Sequence, residues 1–313
     1  MRILRFLPVF CFALFAGCAR DTPTSSTPPA PVETTAQTFP KDDLGREVNL
    51  KSPAQRVVCI GPGATETIFA LDAGAQLVGR DQVSDYPAAA LKVPIVGDYT
   101  GPFIEKVIAA KPDLVIVQGE TYDRARAEIW QQRIGAPVAI LVPTSVRKFE
   151  QDVVKTSAWL GLKKSFKVSI YPRTGHRVGV PAFFEVGRSP LWTAGSGTLI
   201  NDVMHIAGLD NVAQVNGYKQ FNIEKLLALQ PYVYIVPVAA ETPPKEYPRL
   251  LSELKKDRVL GRLKCVQENR VIFINSDWIL RAGPRLQQGL QKLAERGDQL
   301  SLQLDSSQAI KRN

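Results

Sequence analysis

The chain has 313 residues, 45% apolar and 22% charged, with 39 Lys and Arg against 30 Asp and Glu for a net charge of +9. That length allows one large or two medium domains with their own cores, the composition excludes a disordered chain, and four Cys are too few for a disulfide scaffold. No run of Lys or Arg exceeds two residues, so the basic charge is spread rather than gathered into a nucleic-acid-binding face.

Residues 1–18 carry Arg2 and Arg5 and then an apolar run of 11 residues, 6–16. A bilayer span takes about 20 apolar residues, so this run has the size of a secretory h-region instead. It ends in Leu14-Phe15-Ala16-Gly17-Cys18, which is similar to a bacterial lipobox with Phe15 where Leu usually stands. This reads as a lipoprotein signal peptide cleaved before Cys18, whose thiol would carry a diacylglycerol; the alternative is a plain signal peptide with a chance cysteine. Residues 19–40 read as a tether, because 21–40 contain 13 Pro, Ser or Thr and cannot bury a core. The expected location is the cell envelope, lipid-anchored on the periplasmic or outer face of the cytoplasmic membrane. Of the remaining cysteines, Cys59 and Cys265 lie in strand-like apolar runs and are expected to be unpaired buried thiols.

From residue 56 the chain alternates β runs (56–60, 76–80, 113–118, 137–142) with amphipathic stretches (64–71, 103–110, 122–133, 146–160). The pattern resumes with strands at 182–186, 232–237 and 270–275 and helices around 199–207, 223–229, 249–254 and 285–300. Continuous Val/Ile-rich strands between helices predict α/β architecture: parallel sheets covered by helices in two Rossmann-like lobes, 41–160 and 182–300, with a polar tail over 301–313. An internal repeat links the lobes. IEKVIAAKPDLVIV (104–117) and IEKLLALQPYVYIV (223–236) agree at seven of 14 positions, each a short helix stopped by Pro112 or Pro231 before a buried strand. Two related lobes predict a ligand cleft between them.

Several segments, in order, resemble a substrate-binding protein of an ABC importer of the cobalamin or ferric-siderophore type. They are residues 53–67 ending in Ala64-Thr65-Glu66-Thr67, Ser84-Asp85-Tyr86-Pro87, Lys111-Pro112-Asp113, Pro190-Leu191-Trp192-Thr193-Ala194-Gly195, and Ser276-Asp277-Trp278 followed by Arg281. The last two stand closest to the cobalamin branch, and residues 42–48 match a lead-in strand. The resemblance implies a free monomer that captures a corrinoid between the lobes and delivers it to a permease dimer with its ATPase subunits. It assigns ligand contacts to Tyr86, Tyr99, Trp192, Tyr218 and Trp278, with Asp277 and Arg281 as polar partners, and permease docking to Glu105 and Glu224. A corrinoid is a broad ring with apolar faces and an amide fringe, which aromatic walls and a few polar groups suit. Each of these aromatics could instead be core, and each glutamate could simply favour the positive end of its helix. The resemblance also implies one interlobe helix of about 20 residues, roughly 30 Å long. Residues 161–181 contain Pro172 and Gly175 and show no helical stripe, so an irregular connector is expected.

Other chemistries find little support. Residues 61–67 lack the Gly-Lys-Ser/Thr of a phosphate loop, and Gly195-Ser196-Gly197 is a turn before Thr198, not a nucleophile elbow. No enzyme and no cofactor are expected. Two histidines, His176 and His205, are too few for a zinc or manganese receptor. Ferric siderophores and haem remain open, since Arg80, Arg188 and Arg281 could form a basic pocket for their anionic groups; so does a scavenging or sensing surface lipoprotein.

Overall fold

The computed structural model describes residues 38–169 and 179–312. Cys18, the signal peptide and most of the tether lie outside the described residues, as do Pro172, Gly175 and His176 of the connector. Residues 42–46 form a turn, not the lead-in strand expected over 42–48. The Asp42 carboxylate accepts the amides of Leu44 at 3.0 Å and Arg46 at 2.8 Å, Gly45 takes φ 72°, and the Asp43 amide donates to the Ile140 carbonyl at 2.9 Å. An aspartate that bonds its own following backbone favours such a turn over an extended strand.

The first lobe contains strands β1 (Val57–Ile60), β2 (Leu77–Asp81), β3 (Ile95–Asp98), β4 (Gly101–Pro102), β5 (Leu114–Gln118) and β6 (Val138–Leu141). They form one sheet in the order β4-β3-β2-β1-β5-β6, parallel except for β4. Helices α1 (Pro62–Ala70), α2 (Ile104–Ala110), α3 (Arg124–Ile134) and α4 (Val146–Trp159) connect the strands and flank the sheet. Strands β1 and β6 are buried along their whole length, as expected where helices cover both faces.

The second lobe has strands β7 (Val180–Phe184), β8 (Gly187–Arg188), β9 (Leu191–Ala194), β10 (Leu209–Asn211), β11 (Tyr218–Gln220), β12 (Val233–Val238) and β13 (Val271–Asn275). The order β10-β7-β12-β13 makes a parallel sheet, and β11-β9-β8 make a small antiparallel one that the sequence reading did not contain. Its helices are α5 (Leu199–Ile206), α6 (Ile223–Leu229), α7 (Tyr247–Lys256), α8 (Lys264–Gln267), α9 (Ser276–Ile279) and α10 (Leu286–Arg312). Cys265 therefore sits on a short helix, not in a strand. It and Cys59 are free and buried, and burial pushes their thiols up to about 11 and about 12. Most of the expected tail at 301–313 continues α10, which runs to Arg312.

The repeat is structural. Helix α2 ends on Lys111 and α6 on Gln230, both left-handed at φ 48° and 43°, each followed by the proline and then a central strand, β5 or β12. Both helices run antiparallel to the strand they feed, so their N-termini lie at the carboxyl edge of their sheets.

No helix joins the lobes through residues 161–169. Helix α4 stops at Trp159, Gly161 turns at φ 69°, and the Ser157 hydroxyl donates to the carbonyls of Leu162 (3.0 Å) and Lys164 (2.6 Å). A side chain at Gly161 would also meet the Pro53 ring at 2.6 Å. The lobes are joined by packing instead. Val146, Phe149 and Val153 of α4 share one buried cluster with Phe184, Leu199, Val203, Ile279 and Leu290 of the second lobe, and the Asp202 carboxylate accepts the Val146 amide at 2.8 Å.

Candidate functional site

The carboxyl ends of β1, β5 and β6, where ligands of open α/β sheets bind, open toward residues of the second lobe. A cavity of about 270 Å³ lies there. The first lobe lines it with Pro62 after β1, Gln118 at the end of β5 with residues 119–121 beyond it, and Pro143 after β6; the second contributes Leu199, Tyr218 and residues 279–282. Backbones approach closely at its base. Gly61 adopts φ 131°, and a Cβ on Gly63 would lie 2.1 Å from the Ala282 carbonyl, so no larger residue fits. The Gln118 amide bridges the lobes, accepting from the Ala64 N–H and donating to the Ala282 carbonyl, both at 3.0 Å.

Of the expected aromatic residues, Tyr218 alone is among those that line this cavity. Burial and the nearby Glu120 charge push its phenol far above the usual range, so it stays protonated. In the β9–β11 ladder Trp192 stands opposite Gln220 and Ala194 opposite Tyr218, which places Trp192 and Tyr218 on one face of the small sheet. Trp192 remains 39% exposed. Tyr86 (47% exposed) is covered on one face by the Arg285 guanidinium, 4.1 Å from the ring centre. Tyr99 (80% exposed) stands on a tip pinned by Asp98, which accepts from the Thr100 amide and hydroxyl. The Tyr99 carbonyl accepts the Tyr122 hydroxyl at 3.1 Å, and Tyr122 abuts Gly119 of the cavity wall. Trp278 does not line this cavity; it is half-buried with its Cβ and carbonyl against Gly289 of α10.

Asp277 and Arg281 belong to a five-residue ionic cluster across the lobes. Arg285 donates twice to Glu66 of α1, at 2.9 and 2.6 Å, and once to Asp277 at 3.2 Å. Arg281 reaches Asp85 at 2.6 Å, Asp277 at 3.0 Å and Glu66 at 3.8 Å. Arg281 holds the Asp85 carboxyl below the usual range, while burial lifts Glu66 above it despite both arginines. Three carboxylates thus surround two guanidiniums.

The arginines that could have made a basic pocket are all engaged. Arg80 is 5% exposed, donating to the carbonyls of Ala90 (2.9 Å) and Asp81 (2.8 Å). Arg188 is chelated by Glu185 at 3.0–3.1 Å. Sequence reasoning had not named Glu120, which sits on the cavity wall; its walls desolvate the carboxyl enough to raise it. It had not named Gln118, Asp85, Glu66 or Arg285 as site residues either. The Gln118-Gly119-Glu120 run at the end of a buried strand was the available signal.

Glu105 and Glu224 both occupy the first turn of their helices. Glu105 is largely exposed, with Arg133 at 3.4 Å, and Glu224 is exposed. Thr198 caps α5, accepting the Asn201 amide at 3.2 Å, so the Gly195–Gly197 stretch is a turn before a helix; His205 is exposed near that helix's end.

Comparison with known proteins agrees with this architecture. Residues 57–167 match the family described as periplasmic binding protein. An uncharacterised ABC transporter substrate-binding lipoprotein of Bacillus subtilis, YvrC, is 27% identical over 81% of this chain and 83% of its own length. The vitamin B12-binding protein of Pectobacterium atrosepticum is 24% identical over 79% and 90%. Among solved structures, the periplasmic vitamin B12 binding protein BtuF of Vibrio cholerae superposes with a TM-score of 0.63 at 21% identity, covering 79% of this chain and 98% of its own. A periplasmic heme-binding protein of Pseudomonas aeruginosa gives 0.62 at 24% identity, covering 78% and 92%.

Proposed function

We propose that this chain is a periplasmic binding protein, the substrate-binding component of an ABC importer, and that it captures a corrinoid in the interlobe cleft; the family match over residues 57–167 and the similarity to an ABC transporter substrate-binding lipoprotein support this reading. One observation carries the choice of ligand: every arginine offered by the sequence for an anionic chelate is already engaged. Arg281 is held by Asp85 and Asp277, Arg188 by Glu185, and Arg80 by backbone carbonyls. Haem propionates or a siderophore's anionic groups would meet no spare cation from this set, and would meet Glu120 on the wall. A ring with apolar faces and neutral amides finds Tyr218 and Trp192 for its faces and polar groups at the rim.

The same reading makes Cys18 the lipid attachment point, with residues 19–40 spacing the domain from the membrane. Glu105 and Glu224, one per lobe at matching places, would meet cationic partners on the two subunits of a permease, contributing orientation and association rate more than affinity. Replacing Tyr218 or Trp192 by Ala tests the ligand reading: each should weaken cyanocobalamin binding by about 30-fold, the size of a loss near 2 kcal/mol at a hot spot. Unchanged affinity in both variants would refute it.

A further inference from the structure

We propose that Glu120 sets ligand charge specificity: it accepts a ligand whose fringe donates N–H groups and rejects the same ring bearing carboxylates. The inference rests on the corrinoid reading and names what within the cleft enforces it. Glu120 lies just past the end of β5 on the cavity wall that also holds Tyr218 and Arg281. Among the described residues no hydrogen bond or ion pair engages its carboxylate, whereas Arg281 across the cavity is held by Asp85 at 2.6 Å and Asp277 at 3.0 Å. Including the cluster behind it, the cleft sets Glu66, Asp85, Asp277 and Glu120 against Arg281 and Arg285, an excess of two negative charges.

Charge on this wall acts at short range. An ionised acceptor free of protein partners gains from a ligand amide or amine that donates to it, because charge-assisted hydrogen bonds are the stronger ones. Glu120 is exposed to solvent in the free chain, so a ligand carboxylate placed beside it is repelled most strongly once the bound ring covers the wall and displaces the screening water. Tyr218, kept protonated by burial and by Glu120 itself, donates or accepts and does not offset the repulsion. Specificity then comes from a repulsive element as well as an attractive one.

The test compares two corrinoids with the same ring: cyanocobalamin, whose side chains end in amides, and dicyanocobyrinic acid, whose side chains end in carboxylates. Calorimetry would measure both on the wild-type chain and on Glu120→Gln and Glu120→Lys, with circular dichroism to verify folding. The wild type should prefer cyanocobalamin. Glu120→Gln should shrink that preference by about 10-fold or more, the worth of a charged contact in such a site, and Glu120→Lys should shrink it further. An unchanged preference in both folded variants of a wild type that binds cyanocobalamin overturns the role of Glu120 alone. A wild-type chain that binds haem or a ferric siderophore tightly and no corrinoid overturns the ligand reading and this inference together.

Discussion

Replacing Arg285 by Met removes two hydrogen bonds to Glu66, one to Asp277 and the stacking on Tyr86. Glu66 is 3% exposed, so the substitution strands a buried carboxylate that keeps only Arg281 at 3.8 Å. Breaking a buried pair from one side costs about 3–5 kcal/mol, and the surviving arginine places this case near the low end. The pH dependence follows from Glu66, whose carboxyl burial already holds above its ordinary 4.5. Without Arg285 it rises further, so above pH 4.5 the folded state binds more proton than the unfolded state, and stability falls as pH rises through the folded value. The deficit should therefore be largest near pH 7.5 and shrink toward pH 5. Urea unfolding at the two pH values measures it, and Glu66→Gln combined with Arg285→Met should recover most of the loss, because neither partner is then left charged and unpaired. An Arg285→Met protein as stable as wild type at pH 7.5, or equally impaired at both pH values, would refute the claim that this pair clamps the lobes.

Asp152, buried on α4 beside the charged Asp43, has its carboxyl pushed up to about 7, chiefly by burial, and its Oδ2 lacks a hydrogen-bond partner. It should make the wild type lose stability as pH rises from about 4 to 7, and Asp152→Asn should flatten that slope in thermal melts; a slope that persists would refute the assignment. Glu105→Ala with Glu224→Ala should leave cyanocobalamin binding intact while permease association and uptake fall; unchanged uptake would leave only the role of an acid at a helix N-terminus. Mass spectrometry of membrane-extracted protein should find acyl mass on an N-terminal Cys18, and a mature form beginning elsewhere would contradict the anchor.

Much of the scaffold was legible because its determinants are local. The longer strands of the two main sheets show as apolar runs, and both copies of the repeat occupy the predicted helices and strands, punctuated by Pro112 and Pro231; the short strands β3, β4 and β10 were not read, because IVGD, GP and LDN carry too few apolar residues to stand out. The antiparallel β9–β11 ribbon was not legible, since its strands are three and four residues long and their pairing depends on tertiary packing. The ionic cluster was hidden for a different reason: Arg285 and Glu66 are 219 positions apart, and no periodicity links them. Resemblance pointed to Asp277 and Arg281 but could not show that their charges are satisfied within the protein. The start of the connector illustrates the opposite case: residues 161–169 form no helix, as their composition suggested and against the long helix implied by the resemblance.

The central claim is that the cleft takes a corrinoid in preference to an anionic iron chelate. Isothermal titration of the purified mature chain with cyanocobalamin, haem and a ferric siderophore, under one buffer and salt condition, tests it most directly. Saturable one-to-one binding of cyanocobalamin with much weaker haem and siderophore binding is the predicted result. Tight binding of haem or of the siderophore with no response to cyanocobalamin would contradict it.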